Sequence, residues 1–284
     1  MQAKKTITLD CSAINHLTDD KESGVILAAI RTAYFVRLTA TNIDEIIATP
    51  KKKRGRRDAL LNTCGMLLSA GECIFPHHFV SDIVVKDYQR HGKSRWHPLS
   101  LRSRDYEDLI VKRDLVNALS VQQRNFAKRT QTKFALTFGG LGKKLEKLFQ
   151  KGLLRPAAFV ELLSILQVRG GAFWKIAAVF YKHGANRKPR EATLRKFIAA
   201  CPPFYAFVLS VVMAEYGYSV RSAKALGSYR AERSDLLSAL YLPYCHIFVT
   251  DDKRQLRCLP EIAGVAWPTV EILRYSDFRK RFIP

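Results

Sequence analysis

The sequence predicts an α/β protein whose central, mostly parallel sheet is built from both ends of the chain, with a large, mainly α-helical insert between them. Three observations lead there. Thr6 to Leu9 (TITL) is a β-branched strand that ends on a carboxylate, Asp10. His246 to Thr250 (HIFVT) is an apolar strand that ends on two more, Asp251 and Asp252. After the first strand, helical spacing gives way to a second strand before Pro50, the alternation expected of a parallel crossover.

Composition bounds the rest. A chain of 284 residues, 48% hydrophobic and 25% charged, can bury a full core. Its 47 Lys and Arg against 25 Asp and Glu leave a net charge of +22, so polyanions are the natural partners, nucleic acid ahead of an acidic membrane. Six cysteines carry no CxxC pair, which speaks against a zinc ribbon. The amino terminus runs MQAKK directly into a strand, and a reduced, cytoplasmic setting with free thiols is expected. The longest uncharged run, Phe197 to Ala214, is divided by Pro202 and Pro203 and reads as a buried core helix, with no membrane span expected.

Taken in order, the first 49 residues form a βαβα unit. Val25 to Ala33 has helical apolar spacing and leads into a strand, Tyr34 to Thr39. Thr41 or Asn42 is then expected to cap a short helix, IDEIIA, with Asp44 and Glu45 in its first turn. The run KKKRGRR (Lys51, Lys52, Lys53, Arg54, Arg56 and Arg57 around Gly55) follows Pro50 and reads as a solvated loop suited to a phosphate backbone. Residues 58 to about 230 read as helices punctuated by glycines, without strands. Within them Arg90, Arg102, Arg124 and Lys128 are interleaved with Trp96, Tyr106 and Phe126, a pattern that suits backbone tracking and base stacking. His77, His78, His91 and His97 lack the spacing of a zinc site. Neither GxSxG nor GxxxxGK[ST] occurs, which removes serine hydrolases and P-loop NTPases.

The acidic positions fall in a recognisable order. Strand-Asp10 comes first, then TNIDE with Glu45, then Asp235 heading a short helix, then the strand closing on VTDD, Val249 to Asp252. This pattern resembles the PIN-like nucleases. Their last motif, Thr-x-Asp, falls on Thr250, Asp251 and Asp252, which makes Asp252 the fourth acidic position and leaves Asp251, like Asp44 beside Glu45, in support. The resemblance covers 1–57 and 231–284 as a nuclease core of three layers, with 58–230 as a helical insert. It implies that Asp10, Glu45, Asp235 and Asp252 hold Mg²⁺ or Mn²⁺ and activate water against a phosphodiester, RNA ahead of DNA. Clustered carboxylates repel one another, and a hard divalent ion with oxygen ligands relieves that repulsion. Thr250 would position water or phosphate, while Lys253 and Arg254 would contact the substrate's phosphates. Two other readings go with the same residues: a nucleic-acid-binding module that does not cut, and a toxin held silent by an acidic protein inhibitor.

Overall fold

The computed structural model describes residues 4–68, 71–74, 84–86, 88–89, 104–112, 116–117, 119–133, 136, 157–219 and 233–283. In chain order they form β1 (Lys5–Leu9), α1 (Cys11–Asp19), α2 (Ser23–Ala33), β2 (Tyr34–Thr39), α3 (Ala40–Ile47), a 3-10 turn (Lys51–Lys53), α4 (Arg54–Leu68) and β3 (Gly71–Ile74). Then come α5 (Arg104–Val111), α6 (119–133), α7 (Phe159–Leu166), α8 (Ala172–Ala185), α9 (Glu191–Ala200) and α10 (Pro202–Ser219). The chain closes with α11 (Arg233–Leu237), a 3-10 helix (Ser238–Tyr244), β4 (Ile247–Val249), α12 (Gln255–Ala266), β5 (Glu271–Leu273) and α13 (Tyr275–Arg279).

The strands make one sheet in the order β3-β2-β1-β4-β5, with every neighbouring pair parallel. Period-two alternation decides which side chain goes to which face. Ile7, Leu9, Val36, Leu38, Ile247 and Val249 enter one core with α1, α2, α4 and α13. Phe248, between two of them, enters the opposite core with α7 to α12. Helices therefore cover both faces, and the interior strand β4, IFV, is apolar throughout.

Chain connectivity gives the sheet a switch point. From β1 the chain moves through β2 to the β3 edge, and after the helical middle it returns to the other side of β1 for β4 and β5. The carboxyl ends of β1 and β4 thus lie side by side, held in register by Leu9 opposite Val249.

Several expectations change. Thr39, the last strand residue, caps α3: its hydroxyl accepts from the Asn42 amide at 3.1 Å, and the Asn42 side chain accepts from the Thr39 amide at 3.0 Å. Asp44 and Glu45 therefore lie beyond the first turn. The basic run is helical, a 3-10 turn passing into α4, because lysine and arginine are good helix formers and Pro50 fits just ahead of a helix start. The segment read as strandless contributes β3, and α4 spans the boundary drawn at residue 57. Nor do the inserted helices stand apart, since α10 packs against α11, the 3-10 helix and α12 from the chain's end. Pro202 opens α10 after a 110° bend from α9; among the described residues no single helix is long and apolar enough to cross a membrane, and that bent pair passes only by length and composition. Cys11, Cys64, Cys201, Cys245 and Cys258 are free thiols. The histidines at 77, 78, 91 and 97 and the cations and aromatics between 90 and 102 lie outside the described residues.

Phe248 is 1% exposed and anchors the sheet to the α10 layer. Phe248→Ala should destabilise the chain by about 3–5 kcal/mol in urea unfolding. Val160→Ala, at a position 58% exposed, should change stability by less than about 0.5 kcal/mol.

Candidate active site

Asp10 is the first residue past β1 and the N-cap of α1. Its Oδ1 accepts from the Ala13 amide at 2.8 Å and the Ser12 hydroxyl at 2.7 Å, and its Oδ2 accepts from the Thr250 hydroxyl at 2.8 Å. Thr250 follows β4 directly and is fully buried. Each hydroxyl donates to Asp10 and also accepts: Ser12 Oγ from the Asp251 amide of the opposite turn at 2.7 Å, and Thr250 Oγ1 from the Asp252 amide of its own turn at 3.0 Å. Two turns from opposite ends of the chain are thereby locked around one carboxylate. The Asp10 carboxyl is pushed up from 3.8 to about 6, chiefly by burial, with the neighbouring Asp252 charge adding to the rise and the three hydrogen bonds opposing it.

Asp252 Oδ1 accepts from the amides of Arg254 at 2.7 Å and Gln255 at 2.9 Å, so this side chain caps α12 while facing Asp10 electrostatically. Asp251 turns to α1, where its Oδ2 lies 3.4 Å from His16 Nε2. The His16 ring stacks on Tyr275 at 5.6 Å between centroids. Tyr275 in turn donates to Asp20, which also accepts from Arg279 at 2.8 Å.

The remaining predicted residues divide. Asp235 is buried and pairs with Arg254 at 3.8 Å. That guanidinium lies beside a carboxylate and is also 40% exposed. Glu45 is exposed and lies beside the half-buried Cys11 thiol, whose own ionisation is pushed up by desolvation first and by Glu45 second. Asp44 accepts from Gln123 at 3.0 Å and ties α3 to α6. Lys51, Lys52, Lys53 and Lys253 are exposed, and Arg54 pairs with Asp58 at 3.5 Å. Arg56 and Arg57 are structural. Arg56 clamps α4 to α1 through Asp19 and Asn15, and Arg57, 1% exposed, donates to Asn117. The expected basic binding run thus keeps four of its six cations at the surface.

Every donor at the predicted metal position is a carboxylate oxygen, the kind a hard divalent ion prefers. Among the described residues, however, no group of three His, Cys, Asp or Glu side chains is close enough to hold an ion. The arrangement fits an ion taken by one or two carboxylates together with a substrate's phosphates, the usual habit of Mg²⁺, and does not fit an all-protein cage of four. Ser12 and His16 were not singled out from sequence. The available signal was their spacing, since residues four apart share a helix face and Ser12 follows Asp10 by two.

Burial of Asp10 makes a signed prediction. The folded state binds its proton more tightly than the unfolded chain, so this group's stabilisation is complete below about pH 4 and is lost as pH rises through about 6, roughly 3 kcal/mol in all. Asp10→Asn cannot ionise. The melting temperature of the variant minus that of the native chain should rise between pH 4.5 and pH 8, and a difference independent of pH would count against the buried carboxylate.

Compared with models of protein families, with curated proteins and with solved structures, the chain matches none.

Proposed function

We propose that this chain is a PIN-like nuclease that hydrolyses phosphodiester bonds with Mg²⁺ or Mn²⁺ at the carboxyl ends of β1 and β4, RNA ahead of DNA. One observation carries the reading. Asp10 and Asp252 follow β1 and β4, adjacent strands at the switch point of a parallel sheet, near enough for one charge to act on the other, in the place where ligands collect in open α/β folds. The strong positive charge of the chain supplies attraction for a phosphate backbone that two carboxylates would otherwise repel.

Asp10 and Asp252 would hold the ion, whose contribution when bound is to polarise the phosphate and lower the pKa of an attacking water. Ser12 and Thr250 fix both Asp10 oxygens, so the carboxylate cannot rotate. Asp252 is anchored through Oδ1 to the start of α12, and among the described residues no hydrogen bond to its Oδ2 is formed. Lys253, exposed in the same turn, would meet phosphate. Asp235 and Arg254 form a neutral pair that buttresses the turn, which moves both from direct contact to support.

Asp10→Asn and Asp252→Asn should each abolish cleavage of labelled RNA and DNA in Mg²⁺ or Mn²⁺ while leaving binding intact. Thr250→Val removes only the orienting hydroxyl and should lower activity roughly 10–100-fold, whereas Asp251→Asn should be milder. Because no three acidic groups converge among the described residues, a binding module that does not cut is the second reading. Cleavage by Asp10→Asn at the native rate, or none by the native chain with either ion, would favour it.

A further inference from the structure

Away from the sheet, α8 and α9 form a hairpin closed by Asn186 in the left-handed conformation, at φ 52°. Between the helices lies a cavity of about 400 Å³ with an apolar floor of Trp174, Ala178, Val179, Pro189 and Leu194. Lys175, Lys182 and Lys188, all exposed, stand around it. Beside it a second cavity of about 350 Å³ is lined by Arg169, Ala192 and Arg195. Glu191 borders both.

The wall next to Glu191 is built with care. Arg195 lies over the Trp174 ring, 4.0 Å from its centroid. Glu191 Oε1 accepts from Arg195 Nε at 3.0 Å and Nη2 at 2.7 Å, and its Oε2 accepts from the Gly170 amide at 2.8 Å. The Trp174 indole donates to the Gln167 carbonyl at 2.9 Å. Both planar groups are held from their edges, so neither ring nor guanidinium can swing away. Between residues 169 and 196 Glu191 is the sole carboxylate among eight lysines and arginines, and Arg195 already neutralises it.

We infer that this hairpin is a binding site for single-stranded nucleic acid, one base entering the apolar cavity against Trp174 and the backbone running along the lysines. Charge complementarity selects a polyanion, and a rigid aromatic floor selects one that carries flat apolar faces. Those two demands together describe exposed bases on a phosphate chain. A duplex keeps its bases stacked and satisfies only the first. Lys175 and Lys182 lie two turns apart on α8, about 10 Å along its axis, so they can follow an extended strand. The site needs neither Asp10 nor an ion and does not rest on the hydrolytic reading.

The test uses full-length Asp10→Asn protein in chelator, with a fluorescein-labelled 12-nucleotide single strand, the same sequence as duplex, and unlabelled AMP as competitor. The single strand should bind more tightly than the duplex, and AMP should compete only weakly. Trp174→Ala should weaken the single strand roughly tenfold to a hundredfold. Lys182→Gln with Lys188→Gln, which alters exposed side chains and leaves packing untouched, should flatten the log-log salt slope by about 1.4, or 0.7 for each lost phosphate contact. Native affinity in both variants would overturn the inference, as would equal affinity for duplex or AMP competing as well as the strand. Because cleavage never enters, the outcome is independent of whether the chain is a nuclease.

Discussion

The hydrogen bond from Thr250 to Asp10 joins residues 240 positions apart, and the site depends on it. A buried carboxylate is costly unless its oxygens find donors; Oδ1 of Asp10 finds its donors locally in Ser12 and Ala13, but Oδ2 finds Thr250 only when β4 has docked beside β1. Acceptance of the Asp251 amide by Ser12 adds a second link between the two turns, and Thr250 accepts the Asp252 amide within its own. Loss of any member leaves another polar group buried without its partner. Closure of the sheet and assembly of the candidate active site are thus a single event.

The same economy governs the helical middle. The apolar core beneath Phe248 is shared by α7 to α10 and by α11, the 3-10 helix and α12, so α7 to α10 form a structural layer of the sheet. The α10 helix is buried nearly all round, as a helix must be when it packs between a sheet-side layer and an outer hairpin. The outer hairpin, α8 with α9, can then afford an apolar cleft at the surface because its inner face is already secured through Phe173, Tyr181 and Phe197.

A large excess of cations is not a uniform coat. Arg56, Arg57, Arg254 and Arg279 are drawn into contacts with Asp19, Asn117, Asp235 and Asp20, where a planar, multidentate donor suits an inward role. Lysines remain outside, at Lys51, Lys52 and Lys53 before α4 and at Lys175, Lys182 and Lys188 around the hairpin cleft. These four arginines tie elements together, whereas the lysines named here face outward beside exposed arginines such as Arg54, Arg187 and Arg190.

Read alone, the chain determined strands at Thr6 to Leu9, Tyr34 to Thr39 and His246 to Thr250, within a residue of those formed, the carboxylates that end the first and last of them, and the break at Pro202. These are local facts, written in β-branched runs, in period-two alternation and in proline's missing amide. β3 and β5 were not legible: β4 is as short, but its IFV lies in the longer apolar run HIFVT, whereas GECI and EIL at the sheet edges each carry a carboxylate and offer no such run. The cap of α3 was misplaced by two or three residues, since Thr39 ends a strand and starts a helix at once. Which carboxylates meet was beyond the sequence altogether. Asp10, Asp235, Asp252 and Glu45 look alike in a string, yet folding sets Asp10 against Thr250 near Asp252, gives Asp235 to Arg254 and leaves Glu45 beside Cys11. A carboxylate's role follows from the donors that surround it, and those donors are brought together only by strand order and helix packing, which no local pattern encodes.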